Sequence, residues 1–239
     1  MLEILARDET HDWVVNALSK EKRSLLLDVP AGTGALASRL RKMGFVVSCC
    51  DINPSLFGIE DLEIRKGDLS QTLPYPEESF DFITCLEGLE HLENPFNAIR
   101  EFHRILKPRG KLFISIPNYL NIERRLRFLI TGLFSKIPSP KKMGKDRFDD
   151  LSMLHINNLT YPILKLVLEH SGFAILHVDK DKEKKRMRWL LPVVWFIKLY
   201  CSFWPEGKRE EYHLRETLSS SLIMGGNSLI VVAEKGVSI

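Results

Sequence analysis

Residues 25–34 constrain the fold of this chain more than any other stretch. A short apolar run ends at Asp28 and leads into a turn that carries Gly32 and Gly34. A helical pattern of apolar residues follows and stops at Gly44. Glycine permits a sharp turn and leaves no side chain between the backbone and a ligand. Because the N–H groups that open the helix point to the same place, the stretch predicts a strand, a tight turn and a helix that suit a polar ligand.

A second acidic residue lies about 20 residues beyond the turn. The apolar residues 45–50 predict a strand that ends at Asp51. In open α/β sheets, nucleotides bind at the carboxyl ends of the strands, where a carboxylate accepts hydrogen bonds from ribose hydroxyls. Taken alone, residues 25–34 also fit a plain connection whose glycines serve geometry only. The two elements together predict a site for an adenosine-type ligand.

The rest of the chain alternates strand patterns with helical patterns. The predicted strands cover residues 25–28, 45–50, 62–65, 80–86, 111–116, 173–178 and 228–233. Asn94 and Pro95 open a helix, as a cap followed by proline in the first helical position. This alternation predicts an α/β fold, with a Rossmann-like, mostly parallel seven-stranded sheet and helices on both faces.

Two long segments interrupt the pattern. Residues 119–158 contain a basic and apolar helical pattern, followed by a loop rich in proline and lysine. Residues 180–226 form a connection far longer than usual between strands. We expect a single domain over residues 1–239, in which both insertions form a helical cap or a membrane-contact region.

Composition excludes few classes of protein. The formal net charge of +3 is too small to indicate a nucleic-acid partner, and we expect none. The four cysteines show neither metal-ligand spacing nor a disulfide framework, which fits a reducing compartment. The N-terminus is acidic where a secretory signal would be basic. We therefore expect a cytoplasmic protein.

Several short motifs follow one another in a fixed order between residues 24 and 118, with weaker support from residues 155–178. They are residues 27–34, Asp51, residues 67–69, residues 73–76 before 79–81, residues 87–92, residues 106–110 and residues 116–118. In this combination the chain resembles a class I S-adenosylmethionine-dependent methyltransferase, of the group that includes ubiquinone-biosynthesis O-methyltransferases. The resemblance implies S-adenosylmethionine as cofactor and methyl transfer to a small or lipid-linked acceptor, with a hydroxyl as the expected acceptor group.

The resemblance also implies roles for individual residues. Asp28 and the glycine turn would hold the methionine end of the cofactor, and Asp51 would hold the ribose hydroxyls. Asp68 would accept from the adenine amino group, although a surface turn is the alternative for this residue. Leu86 and Glu87 would line the place where the methyl group faces the acceptor. The complete expected cofactor-binding set is Asp28, Pro30, Ala31, Gly32, Gly34, Asp51, Ile52, Asp68, Leu69, Leu86 and Glu87.

The chain departs from the family pattern at two positions. Pro30 stands where the family commonly has its first glycine. Because proline has no backbone N–H, a contact through that amide is lost. Arg109 replaces a common glycine, and we expect no consequence for the chemistry.

Glu87, Glu90 and His91 form a Glu-x-x-Glu-His pattern. In some ubiquinone-type relatives this pattern is associated with a divalent metal. The alternative, which we favour, has no metal: His91 lines the cofactor site and the carboxylates cap the following helix. His91 is also the best candidate for a general base on a hydroxyl acceptor. Methyl transfer depends mostly on in-line placement of the acceptor, so that a base is not obligatory. His155 either faces the acceptor or packs in a loop.

Residues 180–204 combine a basic segment with an apolar one. Six lysines and arginines lie between residues 180 and 188, and residues 189–204 are apolar with tryptophan at both ends. This run is too short and interrupted for a membrane span. It suits a helix lying on the cytoplasmic face of an anionic membrane, or equally a lid or dimer-interface helix. In the first case the acceptor would be lipid-linked.

Two other functions compete with methyl transfer. Residues 32–37 fit the relaxed G-x-G-x-x-A form of an NAD(P)-dependent oxidoreductase, but Asp68 and residues 106–110 have no role there. A non-catalytic, cofactor-binding membrane adaptor is the other alternative. The intact acidic and glycine positions speak against the loss of cofactor binding.

Overall fold

The seven predicted strands pair into one sheet in the computed structural model, which describes residues 8–137 and 154–236. The strands are β1 (Leu25–Asp28), β2 (Val46–Asp51), β3 (Ile64–Lys66), β4 (Phe80–Leu86), β5 (Leu106–Pro117), β6 (Phe173–Lys180) and β7 (Ser228–Lys235). Their order across the sheet is β3-β2-β1-β4-β5-β7-β6. The chain therefore reverses its direction of travel at β1, and the carboxyl ends of β1, β2 and β4 meet at a topological switch point.

The helices include both predicted and additional elements. They are α1 (Asp8–Leu18), α2 (Ala35–Lys42), α3 (Pro95–Ile105), α4 (Ile122–Thr131), α5 (Tyr161–His170), α6 (Leu191–Ser202), α7 (Glu206–Glu211), α8 (Leu214–Thr217) and α9 (Ser220–Ile223). Short 3-10 turns cover Pro54–Leu56, Leu89–His91 and Lys185–Leu190. Residues 138–153, which contain most of the predicted loop rich in proline and lysine, lie outside the described residues.

One strand departs from the parallel arrangement. β7 runs antiparallel to both β5 and β6, and Ser228 at its start pairs with Pro117 at the end of β5. β6 consequently has the same direction as β5. The carboxyl ends of β1 to β6 thus share one edge of the sheet, which we call the carboxyl edge. The prediction of a mostly parallel seven-stranded sheet is confirmed.

The core lies on the two faces of the sheet, because successive strand residues point to opposite sides. Leu27 and Ile83 pack on the face covered by α3 and α5. Their neighbours Leu26 and Phe82 pack on the face covered by α1 and α2. The central strands β1, β4, β5 and β7 are largely buried on both faces, which explains why they read as apolar runs and not as alternating patterns.

Some predicted boundaries were wrong. We expected β5 at residues 111–116, but it begins at Leu106, directly after α3. The register between β4 and β5 shifts at Phe80, and Arg109 adopts a positive φ of 63°. The basic and apolar helical pattern predicted at the start of residues 119–158 forms α4, which begins after the cap Asn121 and ends before Gly132. The side-chain oxygen of Asn121 accepts a hydrogen bond from the N–H of Arg124, and this cap determines where the helix begins.

The second insertion packs on the first through a small apolar cluster. Ile122 of α4 contacts Met187, Leu190 and Val194 around α6, together with Ile223 of α9. Among the residues that the structure describes, none of the helices has the length and apolar character needed to cross a bilayer.

Candidate active site

The turn after β1 is shaped by two glycines in the left-handed region. Gly32 has a φ of 51° and Gly34 a φ of 84°. A Cβ atom at Gly34 would lie 2.7 Å from the Phe57 ring, so that a side chain is excluded by space as well as by backbone conformation. The N–H of Ala31 donates to the carbonyl of Cys50 at 3.0 Å. The turn is thereby held against the end of β2, at the start of α2.

Asp51 lies beside this turn. It is buried, and its carboxylate accepts hydrogen bonds from the N–H of Gly32 at 2.8 Å and of Asn53 at 2.9 Å. The next residue, Ile52, is half exposed. The structure therefore brings together the glycine turn and the acidic residue that the sequence separates by 19 positions. A fixed carboxylate in this position could accept hydrogen bonds from a ribose diol.

Asp28 is more deeply buried, with 2% of its surface exposed. Thr84 of β4 donates its hydroxyl hydrogen bond to Asp28 at 2.7 Å. Burial raises the pKa of Asp28 to about 7, and the nearby charge of Asp51 adds to this effect. A carboxyl group in this state is suited to a cationic ligand group, whose charge would offset the cost of ionisation. The sequence did not predict Thr84 as a residue of the site, because its contact with Asp28 depends on the pairing of β1 with β4.

Asp68 follows β3 at the same edge. Its carboxylate accepts a 2.8 Å hydrogen bond from the N–H of Ser70, and this contact forms an Asx turn. The neighbouring Leu69 is buried. The turn role that was the alternative for Asp68 is thus present. A contact of Asp68 with adenine stays a prediction.

The chain changes direction sharply after β4. Leu86 is buried, and Glu87 adopts a positive φ of 50°, which is uncommon for a residue with a side chain. The N–H of Glu87 donates a 2.9 Å hydrogen bond to the hydroxyl oxygen of Ser115 in β5, which fixes the backbone at this position. Backbone strain of this kind is often found at functional sites. The ring of Pro30 lies close to the backbone of Gly88 in this segment. A Cβ atom added at Gly88 would lie only 2.7 Å from that ring.

Glu90, His91 and His155 come together behind Glu87. One ligand atom from each of the three lies within 4.8 Å of the others, so the set could hold a divalent metal. The rings of His91 and His155 are 4.9 Å apart, and Nδ1 of His91 lies 3.0 Å from the carbonyl of Leu154. Two members of the Glu-x-x-Glu-His pattern are thus grouped with a histidine about 60 residues away along the chain, and not with Glu87.

The Glu90 side chain does not cap a helix. It is fully buried, and neither carboxyl oxygen has a hydrogen-bond partner. Burial, with a smaller contribution from Glu87, raises its pKa well above the ordinary range. The N-terminus of α3 is capped by Asn94, which accepts from the N–H of Phe96. The expectation that the carboxylates cap this helix was therefore wrong for Glu90.

Other unpartnered polar groups lie at the same edge. Within residues 8–137 and 154–236, the buried side-chain polar atoms without a hydrogen-bond partner are Thr10 Oγ1, His11 Nδ1, both carboxyl oxygens of Glu90, Tyr119 Oη, Asp181 Oδ2 and Ser228 Oγ. Tyr119 follows β5, Asp181 follows β6, and Ser228 opens β7 at that edge. Buried polar groups are normally paired. Their concentration at the carboxyl edge indicates that it is the part of the protein built for a polar ligand.

Comparison with known proteins agrees with this site. A family model described as a methyltransferase domain matches residues 5–178. The chain belongs to the methyltransferase domain family. The methyltransferase is 32% identical over 165 residues to a ubiquinone biosynthesis O-methyltransferase of Pseudomonas syringae pv. tomato, an alignment that covers 59% of this chain and 70% of the relative. It is 27% identical to a demethylmenaquinone methyltransferase of Leptospira interrogans, over 67% of this chain and 76% of the relative.

A solved structure shares the fold. A SAM-dependent methyltransferase from Archaeoglobus fulgidus superposes with a TM-score of 0.59 at 18% identity, and the alignment covers 94% of each chain. The expected family and fold are confirmed, and the oxidoreductase and adaptor alternatives have no support from these comparisons. The family match ends at residue 178, so α6 to α9 lie beyond it.

Membership of this family implies S-adenosylmethionine as the cofactor, and the residues of the methyltransferase fit it. Asp51 offers a fixed acceptor to a diol, and Asp28 offers a carboxyl group that gains from a cationic amine. The glycines of the turn place no side chain between them. The two carboxyl groups are of the chemical type that suits a ribose diol and a cationic amine.

Proposed function

We propose that this methyltransferase transfers the methyl group of S-adenosylmethionine to a hydroxyl oxygen of a small or lipid-linked acceptor. The observation that carries the proposal is the group formed by Glu90, His91 and His155, which lies directly behind the β4 end of the cofactor site. Methylation of a hydroxyl is assisted by a proton acceptor near the acceptor oxygen, and His91, which follows β4, is a residue of suitable type for that role.

The proposed cofactor contacts follow the carboxyl edge from one side to the other. Asp68 and Leu69 receive the adenine, Asp51 the ribose hydroxyls, and Asp28 with the glycine turn the methionine amine. Leu86 and Glu87 line the methyl group. Pro30, Ala31 and Ile52 complete the proposed walls.

When bound, the cofactor supplies an electrophilic methyl group on a sulfonium. The protein's own task is to orient the acceptor oxygen in line with that group and to exclude water. A carbonyl oxygen only accepts hydrogen bonds, so the 3.0 Å contact of Leu154 assigns the proton of neutral His91 to Nδ1. Nε2 then carries the lone pair and is the atom proposed to take the hydroxyl proton as the oxygen is methylated.

A lipid-linked acceptor is supported by the surface of α6. This helix is apolar over most of its circumference, with Lys198 as its single charged residue. A largely apolar helix is typical of one that is buried or in contact with a membrane. One stripe, with Val194, faces the protein, whereas Trp195 and Phe196 are 65% and 64% exposed. Such a large apolar surface indicates a contact partner.

The charges around α6 support an anionic membrane as that partner. The preceding segment contains several basic residues, which line a cleft of about 470 Å³ together with Glu123, Glu183 and Asn227. Arg186 is exposed, whereas Lys184 is largely buried in an ion pair with Glu123. Near α6, α4 contributes Leu129 and Ile130, which are 79% and 81% exposed. Leu129 follows Ile122 and Leu126 by seven and three residues, and so extends the apolar face that packs against the α6 cluster.

We therefore propose peripheral contact with the cytoplasmic membrane face through residues 180–204. The names of the two quinone-related relatives are consistent with an acceptor of this kind. A lid or dimer-interface role of α6 is the competing explanation, and it predicts no affinity for vesicles.

The proposed activity can be tested with labelled cofactor. The protein is incubated with S-adenosylmethionine carrying a tritiated methyl group and with a total bacterial extract, which is then separated into organic and aqueous phases. We expect label in the organic phase, and loss of that label with Asp51→Ala. Label confined to water-soluble products would identify a small acceptor and overturn the lipid-linked part. Binding of S-adenosylhomocysteine without any transfer would count against turnover.

A further inference from the structure

The cleft beside the last two strands is lined mainly by charged side chains. It has a volume of about 470 Å³, and four lysine and arginine side chains line it against two glutamates and one asparagine. The lining residues are Lys182, Lys184, Lys185, Arg186, Glu123, Glu183 and Asn227. The walls of the cleft therefore carry an excess of positive charge.

The cleft lies at the carboxyl edge of the sheet, on the side away from the proposed cofactor contacts. Asn227 immediately precedes β7, and Lys182 follows the end of β6. The backbone carbonyl of Asn227 accepts a 2.7 Å hydrogen bond from the N–H of Asn118, which follows β5. This bond fixes one wall of the cleft to the end of β5. The proposed cofactor carboxylates follow β1, β2 and β3, which lie on the other side of β4.

Two of the four cations remain available to a ligand. Lys182 and Lys184 are already paired with carboxylates, and the second pair is largely buried. Arg186 is 80% exposed and lies 3.6 Å from Glu123. Lys185 is exposed and takes part in none of the ion pairs that join described residues. An anion that enters the cleft can therefore reach Lys185 and Arg186 without breaking a buried ion pair.

The surrounding charges also favour an anion. A hydrogen bond from Lys184 lowers the pKa of Glu123, and the charge of Arg186 adds to this effect, so the carboxylate is already neutralised by its neighbours. Glu123 is the second residue of α4, so the N-terminus of this ten-residue helix borders the cleft. The partial positive charge of a helix N-terminus stabilises a nearby anion.

The cleft adjoins the apolar surface of the second insertion. Lys185 and Arg186 belong to a 3-10 turn that leads directly into α6. Trp189 in the same turn is 71% exposed. Met187, also in this turn, packs in the apolar cluster that joins α4 to α6. A ligand with an anionic group in the cleft would therefore have an apolar surface next to it.

We propose that this cleft binds a phosphate group attached to an apolar chain, carried either by the methyl acceptor or by a membrane phospholipid. Lysine and arginine both bind phosphate, and the arginine fork donates two hydrogen bonds to it. This inference rests on the proposed lipid-linked function and adds a defined anion site to it. Six of the seven lining residues lie beyond residue 178, where the family match ends.

The test measures the binding of octyl phosphate by calorimetry, below the concentration at which it forms micelles. Lys185→Gln combined with Arg186→Gln removes the two available cations, and we expect it to weaken binding about tenfold. Arg188→Gln combined with Lys198→Gln is the matched control, because both residues are exposed, lie in the same region and line no part of the cleft. The control should bind nearly as the wild type does at physiological salt, which screens distant surface charges.

Glu183→Gln should change the affinity in the opposite direction. It removes a carboxylate from the rim of the cleft, so octyl phosphate should bind about twofold more tightly. Octanol, which lacks the charge, and inorganic phosphate, which lacks the chain, should both bind more weakly than octyl phosphate. Equal losses in the two double variants, equal affinity for octanol, or no binding of octyl phosphate would overturn the site. Equal affinity for inorganic phosphate would overturn the apolar part. Thermal unfolding of each variant checks that it is folded.

A kinetic measurement distinguishes the two sources of the phosphate. The lipid fraction labelled in the transfer assay is presented to the protein in neutral detergent micelles. A higher KM in the variant that lacks both cleft cations would assign the phosphate to the acceptor. An unchanged KM, with weaker binding of phosphatidylglycerol vesicles than in the control variant, would assign it to a membrane phospholipid. A wild type that binds octyl phosphate in the cleft and transfers no methyl group would overturn the proposed activity alone.

Discussion

The backbone N–H of Gly32 donates a 2.8 Å hydrogen bond to Oδ2 of Asp51. This bond joins the turn after β1 to the end of β2, and Oδ1 of the same carboxylate is fixed by the N–H of Asn53. Both oxygens are therefore held in place before any ligand arrives. A carboxylate that is already oriented loses little conformational freedom on binding, which favours affinity.

The first prediction concerns this carboxylate. Asp51→Ala removes the proposed ribose acceptor and also leaves the N–H of Gly32 without its partner. We expect the affinity for S-adenosylhomocysteine to fall by about tenfold or more in calorimetry, because hydrogen bonds to charged groups contribute about 1.5–3 kcal/mol. Asp61→Ala is the matched control, since Asp61 is exposed and pairs only with Arg41 among the ion pairs of the described residues. Equal affinity in the two variants would argue against the site.

The second prediction uses the buried carboxyl group of Asp28. Its pKa is raised by burial from an ordinary value of 3.8 to about 7, so the folded protein holds this proton more tightly than the unfolded chain. The stability cost is absent below about pH 4, grows between pH 4 and pH 7 and is complete above pH 7. Asp28→Asn, which still can accept from Thr84, should therefore raise Tm at pH 8 by about 5 °C and by much less at pH 5.

Binding should change in the opposite sense. Asp28→Asn removes the charge that the cofactor amine would meet, so the same variant should bind S-adenosylhomocysteine more weakly at pH 8. In the wild type, affinity should rise between pH 6 and pH 8 as Asp28 ionises. Calorimetry at both pH values measures this, and an unchanged pH dependence in Asp28→Asn would show that another group is responsible.

The third prediction concerns His91. If it takes the acceptor proton, His91→Asn should lower kcat about 100-fold, with little change in S-adenosylhomocysteine affinity. His103→Asn is a matched control, because His103 lies on α3 and contacts Phe173, away from the carboxyl edge. A similar loss of kcat in both variants would indicate a structural effect.

The metal alternative predicts a different outcome. The fourth experiment measures methyl transfer before and after treatment with EDTA, and again after addition of Mg²⁺, Mn²⁺ or Zn²⁺. With His91 acting as a base alone, we expect no change on chelation. The metal alternative predicts instead that chelation abolishes activity and that one of the metals restores it. It also predicts an equally severe loss of activity in His155→Ala, and both results together would assign Glu90, His91 and His155 as ligands.

The fifth prediction tests the surface of α6. Replacement of Trp195 and Phe196 by glutamine should abolish flotation with vesicles that contain phosphatidylglycerol, because it removes exposed aromatic area from an apolar surface. Val46→Gln is the control, since Val46 is also exposed but lies at the opposite edge of the sheet, at the start of β2. Flotation should weaken as salt increases. A wild-type protein that stays soluble, or that dimerises through α6, would favour the interface or lid explanation.

Much of the site was accessible from local sequence patterns. The glycine turn, Asp28 and Asp51 are each read from a single strand and the residues that end it. Parallel strands place their carboxyl ends at one edge, so the proximity of Asp51 to Gly32 follows once the fold class is known. The start of α3 was predicted correctly because Asn94 and Pro95 act within one turn of the chain.

Thr84 and His155 could not be placed in this way. The hydroxyl of Thr84 reaches Asp28 only because the two residues are partners in the register of β1 and β4. His155 approaches His91 only because the chain returns to the end of β4 after an insertion. No periodicity or spacing records such contacts, since they depend on how distant elements pack.

The sequence by itself determined the order of strands and helices, the glycine turn and the acidic residues that end the strands, because these depend on local backbone preferences and on apolar patterning. Only the tertiary structure decided which polar groups become neighbours and which remain buried without partners. It buried Val194 of α6 and exposed its neighbour Trp195, although both side chains are apolar. The physical reason is that burial and electrostatic environment are properties of the packed assembly, which brings residues together regardless of their separation along the chain.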